Sequence, residues 1–372
     1  MFRTIPPDQP DGESQTTTTD RESPRAGAPR LAADLLALIY IGVIATVASV
    51  TGAFYVMFPE LAALSWNVME QPRGRWASSP MLLALTPPLT GLIGTVVTRT
   101  IPYGFASVLI TVVACVAVIR ALRSPVAPAI SAGLLPLVLG ITSWWYPPGI
   151  LFGSILLAAI SIPWRRYTTS SPSSRPPLGS DDDQSADPPS VAPSNDATDA
   201  AGTTPATAVP LNMPAMLALL TFVVIAVGAV KLTGMRFILF PPLVVILYEM
   251  LLHREHCHWI GRPVVLPLAC FLAATGGYLF RAHIAVAPLA AMLSMAWGVA
   301  VLRTFNIRVP PALAVALLPM VMTHPTAAFP LAVGIGTTLA SAWFALFEKL
   351  LDSGPDAAAA SSRTTSTPDT AI

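Results

Sequence analysis

Charge is what this chain has least of. Of its 372 residues only 11% are Asp, Glu, Lys or Arg, where soluble domains carry about a quarter. Uncharged apolar runs of membrane-span length stand in their place, which excludes an ordinary soluble globule. Cysteine is scarce as well, with only Cys115, Cys257 and Cys270. Cys115 and Cys270 fall inside apolar runs and Cys257 in a polar loop, so no spaced, even set supports a disulfide framework. No P-loop, hydrolase serine motif or clustered aspartate site occurs. An ATP-driven pump and an enzyme are therefore disfavoured, and no cofactor or metal is expected. The net charge is only +1, and no nucleic-acid partner is expected. Residues 1–30 are polar, with the run Thr16–Thr19 and several Arg. A secretory leader would begin its apolar core much sooner, so this stretch reads as a disordered tail.

What is present is a series of apolar segments. Leu31–Val50, Pro80–Thr98, Phe105–Arg120 and Gly149–Trp164 are long; Pro59–Val68 and Pro128–Leu139 are short. Residues 167–209 are rich in Ser, Thr, Pro, Asp and Ala. They have too little apolar surface to offset their ordering entropy and read as a disordered cytoplasmic linker. The pattern then restarts. Met213–Val230, Pro263–Phe280, Val286–Leu302 and Pro330–Leu350 are long; Pro241–Leu252 and Pro311–Met322 are short. Residues 352–372 read as a second disordered tail.

The two series, 31–166 and 210–351, share landmarks. Thr51-Gly52 and Phe58-Pro59 recur as Thr233-Gly234 and Phe240-Pro241. Gly94 and Arg99 align with Gly276 and Arg281 at the same offset. One residue later in offset, Arg120 aligns with Arg303, and Leu134-Leu135-Pro136 with Leu317-Leu318-Pro319. Ordered Pro, Gly and Arg matches with one slip point to an internal duplication. The predicted fold is all-α: a polytopic helical membrane protein of two parallel repeats, each with four long and two short Pro/Gly-interrupted helices.

Loop charge predicts the orientation. With six crossings per half and a cytoplasmic amino terminus, thirteen Arg and Lys fall on the cytoplasmic side. Only Arg99, Lys231, Arg236 and Arg281 fall outside. This predicts a multi-pass cell-membrane protein with both termini cytoplasmic. If the short segments re-enter instead of crossing, the parity is unchanged but some basic loops land outside.

The short segments matter most for function. Pro59–Val68 as helix spans about 15 Å, half of the roughly 30 Å hydrocarbon core. Broken backbone at that depth is tolerated only inside protein or facing a wet cavity. Helix amino ends aimed at the midplane are a recurring way to hold an anion.

Phe58-Pro59-Glu60-Leu61-Ala62-Ala63-Leu64, followed by Gln71-Pro72-Arg73, resembles a pattern of the HPP family of integral membrane proteins. Thr323-His324-Pro325-Thr326-Ala327-Ala328 is similar to that family's His-Pro-Pro-Ala-Gly-Ala motif. This chain has Pro59 or Pro241 where the family has Gly, Gly74 where it has Asn, and Thr326 where it has the second Pro. The resemblance implies two compact helical domains fused. Some plant members are linked to nitrite transport, which implies a small anion as solute.

Five residues are candidate solute contacts: Glu60, Asn67, Arg99, Arg281 and His324. A carboxylate at membrane depth is a functional hypothesis by default. Glu60 either lines a cavity or is structural. Asn67 either shares that cavity or merely ends a helix. Arg99 and Arg281 are either an oxyanion-attracting mouth or snorkelling side chains. His324 is either a proton carrier or a loop residue beside a Pro break. Glu249 reads as a wet helix end. His253, His256, Cys257 and His258 read as a surface loop, not a zinc site. Trp144-Trp145-Tyr146 reads as an interfacial anchor.

Two functions compete. One is a transporter or channel for a small solute, an anion such as nitrite being one case, with lipid and that solute as partners. The other is a non-transporting scaffold acting through its linker and tails. Homo-oligomerisation is left open.

Overall fold

The computed structural model describes residues 24–169, 212–257 and 259–352. The remainder of the predicted tails and linker, and His258, lie outside the described residues. The described chain is all-helical, with twelve α-helices and no strand among those residues. They are α1 Pro24–Thr51, α2 Glu60–Glu70, α3 Pro80–Thr100, α4 Phe105–Ala121, α5 Ala129–Leu139, α6 Tyr146–Thr169, α7 Met213–Thr233, α8 Pro241–Leu252, α9 Val265–His283, α10 Ala287–Thr304, α11 Pro311–Val321 and α12 Ala328–Asp352. α1 begins at Pro24 and not at Leu31, and α6 continues past Trp164 to Thr169.

Seven helices are long and apolar enough to cross a membrane: α1, α3, α6, α7, α9, α10 and α12. α4, at 17 residues, is one residue shorter than the shortest of them. On α1, Leu31, Leu35, Ile39 and Val43 are exposed while Ala33, Ala37, Tyr40, Ile41 and Ile44 are buried. A helix with apolar residues on both faces suits protein on one side and lipid on the other.

The two halves are built alike. α1 and α7 end at Gly52 and Gly234, both with φ near +70° (68° and 71°), a conformation glycine adopts without strain. Before each, a threonine bonds back one turn: Thr51 to the Val47 carbonyl at 2.6 Å and Thr233 to the Ala229 carbonyl at 2.7 Å. A 3-10 turn follows each, Phe54–Val56 and Arg236–Leu239, then a buried Phe and a short helix. α4 and α10 both end on a left-handed residue, Arg123 and Asn306. α3 packs on α4, α5 and α6; α9 packs on α10, α11 and α12. Across the halves the contacts are reciprocal: α1 meets α10 and α4 meets α7, while α2 meets α11 and α5 meets α8.

Glycine fixes the register. A Cβ on Gly94 would collide with the Gly133 carbonyl of α5, and one on Gly277 with the Ala316 carbonyl of α11. The spatial counterpart of Gly94 is thus Gly277, not Gly276, and the one-residue slip precedes α3. Arg99 then corresponds to Ala282, so the predicted equivalence of Arg99 and Arg281 does not hold in space.

The four short helices form the centre. Almost every residue of α2, α5, α8 and α11 is buried. Leu64, Leu134, Leu135, Val244, Leu247, Leu317 and Leu318 are each at most 1% exposed. Of the two settings that tolerate broken helices at that depth, the short helices take the protein interior: they are packed among aliphatic side chains and do not face a wet cavity there. Close packing of small and branched residues supplies the helix contacts, because in lipid apolar burial between helices gains little.

Candidate functional site

A cavity of about 910 Å³ lies at one end of the bundle. Arg30 at the start of the α1 span, the loop after α2, the end of α6, Glu249 on α8, Trp259, and Arg308 to Pro311 at the start of α11 wall it. These are the segments that loop charge assigns to one side, so the cavity opens at the basic end.

Its lining pairs guanidinium groups with indoles. Arg30, Arg73, Arg75 and Arg308 share the wall with the carboxylates of Glu70 and Glu249 and with Trp76, Trp164 and Trp259. Glu70 is spoken for. Its side chain is 3% exposed, and Arg303 and Arg308 reach it at 2.8 and 3.1 Å. Arg73 is exposed and Arg75 half-buried, and among the described residues neither has an ion-pair partner. The Trp259 indole N–H is buried with no hydrogen-bond partner. Unspent donors and positive charge make the lining suited to anions.

A charged network braces the rim between the halves. Arg303 of α10 also reaches Asp34 of α1 at 3.1 Å and lies over the Trp66 ring, 5.6 Å from its centroid. The Trp66 indole donates to Asp34 at 2.8 Å. The alternating direction of α1, α2 and α10 brings these distant residues together.

Of the predicted residues only Asn67 lines the cavity. Glu60 is on the same helix, ten residues before Glu70. At 1.5 Å per residue it lies about 15 Å from the basic rim, near mid-membrane. It is 1% exposed, and neither carboxyl oxygen has a hydrogen-bond partner. The Ser131 hydroxyl of α5 is a side-chain donor in reach of the carboxyl, and the two fall outside close hydrogen-bond geometry. Tyr146 lies within electrostatic reach and donates to the Ala132 carbonyl at 2.8 Å.

The other three candidates are elsewhere. Arg99 donates to the Thr142 carbonyl at 2.6 Å and packs on Trp144. Arg281 and His324 are exposed. These three do not form a common mouth with Glu60 and Asn67. Three bland readings need correction. Tyr146 is 1% exposed, unlike its exposed neighbours Trp144 and Trp145, because it opens α6 and turns inward. Glu249 is 7% exposed, lies 3.2 Å from His253 and lines the cavity. Cys257 is 6% exposed, and burial, with Glu249 nearby, pushes its thiol up.

Sequence reasoning missed Arg75, Trp259 and Ser131. The Gln71-Pro72-Arg73 stretch was a usable signal for the first. Nothing linear singles out the other two. Comparison with family models, with curated proteins and with solved structures finds no match for this chain.

Proposed function

We propose that the protein transports a small anionic solute across a membrane, with the basic-end cavity as its entrance. The carrying observation is that this cavity opens at one end and stops at a floor of tightly packed short helices. A path open on one side and shut at mid-membrane is the resting geometry that alternating access requires. The matched halves and their reciprocal contacts suit a duplicated pair of units that move against each other. The wall segment Gln71-Pro72-Arg73 carries part of the resemblance to the HPP family and supports the same reading. The volume favours a hydrated or larger anion over a bare three-atom ion such as nitrite. Liquid water takes about 30 Å³ per molecule, so the space holds many waters.

Arg73 and Arg75 attract the solute, and the Trp259 N–H and Asn67 replace part of its hydration. The test is uptake by proteoliposomes of a panel of labelled anions, including nitrate, sulfate and gluconate. At least one should enter faster than into empty vesicles. The double variant Arg73→Ala/Arg75→Ala should lower that rate by about tenfold, the loss of roughly 1.4 kcal/mol of charge-assisted binding. No flux of any anion above empty vesicles would end the proposal.

A further inference from the structure

We infer that Glu60, with the Ser131 hydroxyl beside it, is a proton-binding site at mid-membrane. The role in driving solute rests on the transport reading; the proton site itself does not. Buried polar groups are almost always hydrogen-bonded, and an ionised carboxylate in hydrocarbon is costly unless paired. Glu60 has no cation beside it, and the Ser131 hydroxyl is the side-chain donor in reach of its oxygens, outside close hydrogen-bond geometry.

The surroundings offer no counter-charge. From α6 the facing group is the Tyr146 phenol, and behind it on α4 lies Cys115. α5 and α11, with sequences AISAGLLPLVL and PALAVALLPMV, carry no ionisable residue. α1 contributes Tyr40, whose hydroxyl donates to the Gly153 carbonyl at 2.8 Å, and Asp34. Asp34 is held by Arg303 and Trp66 near the far end of α2. No Lys or Arg therefore balances Glu60. A proton is the one cation that needs no ligand cage, whereas Na⁺ would need several carbonyl or hydroxyl oxygens turned toward the carboxylate. Among the described residues no group of three His, Cys, Asp or Glu is placed to hold a metal.

The site also has a route. Glu60 sits on the helix whose other end, from Asn67 to Glu70, lines the basic-end cavity. A small relative shift of α2 against α5 would open the Glu60–Ser131 pair to that water. α2 packs on α1, α11 and α6, and close-packed interfaces of that kind step between discrete arrangements and do not deform smoothly.

The experiment is labelling of the full chain in lipid vesicles with dicyclohexylcarbodiimide, which reacts with protonated carboxyls in apolar surroundings. Mass spectrometry should find the adduct on Glu60. Its rate should fall about tenfold per pH unit once the carboxyl ionises, and Glu60→Gln should remove it. Glu60→Gln should fold, since it keeps the shape and drops the charge, and its melting temperature reports this. Three results would overturn the inference: no adduct on Glu60 in folded wild-type protein at pH 5, an adduct rate that does not change from pH 5 to 9, or protection by Na⁺ at fixed pH. Failure of anion uptake with a pH-dependent adduct would end the transport reading and leave the proton site standing.

Discussion

The two halves share a scaffold and differ in what they place at its centre. Around α2 and α5 the first half sets Glu60, Ser131 and Tyr146. At the matching positions the second half has Pro242, Ala314 and Phe329. The turns, the left-handed caps and the close glycine contacts are kept in both. The buried polar cluster therefore stands in one half, while the other has apolar residues at the matching positions. The rim repeats the lesson. Asp34 and Glu70 of the first half are matched by Met216 and Leu252, so the carboxylates that second-half arginines hold in the first half have no counterparts in the second.

The sharpest test of shared scaffold is steric. Gly94→Leu and Gly277→Leu should each drive a side chain into a neighbouring carbonyl and lower stability by about 3 kcal/mol or more. Gly228→Leu, with open space around it, should have little effect. Thermal unfolding in detergent reads all three. Unequal losses at Gly94 and Gly277 would break the equivalence of α3 and α9.

The rim network should give the next effect. Arg303→Met leaves Asp34 without its cation, held by the Trp66 indole alone, and Glu70 with Arg308 only, and should destabilise by about 2–3 kcal/mol, toward the low end for a broken buried pair because Arg303 is partly solvated. A loss below about 0.5 kcal/mol, measured by denaturant titration, would show that the halves are joined by packing alone.

The smallest effect concerns the loop after α8, which the first half lacks in this form. Burial raises the Cys257 thiol, and only the thiolate reacts. Maleimide should thus label Cys257 at least tenfold more slowly than an exposed thiol at pH 7.5, and faster as pH rises. The raised thiol stabilises the folded chain fully below the unfolded value of about 8.5. That contribution is lost as pH climbs through the folded one. Rapid labelling at neutral pH would place this loop in water, as its polar sequence suggests.

Much of this was legible beforehand. The short helices could be read from Phe-Pro pairs because Pro starts a helix without losing a bond. The breaks at Gly52 and Gly234 could be read because only glycine takes that φ cheaply. Glu60 stood out as a carboxyl in an apolar run. Illegible were the partners. Nothing in one dimension sets Ser131 beside Glu60, or Arg303 beside Asp34, residues far apart in sequence. The Gly94–Gly276 alignment shows the limit: adjacent glycines are equal in sequence, and only the carbonyl pressed against Gly277 tells them apart.

The sequence by itself determined the solvent, the helix count and the places where helices break, because each follows from local apolar content and backbone freedom. Tertiary structure alone decided that the centre is dry, that the open space lies at the basic end, and that one acid is left unpaired between them. Those are consequences of which faces meet, and a helix can present the same face to several neighbours until packing selects one.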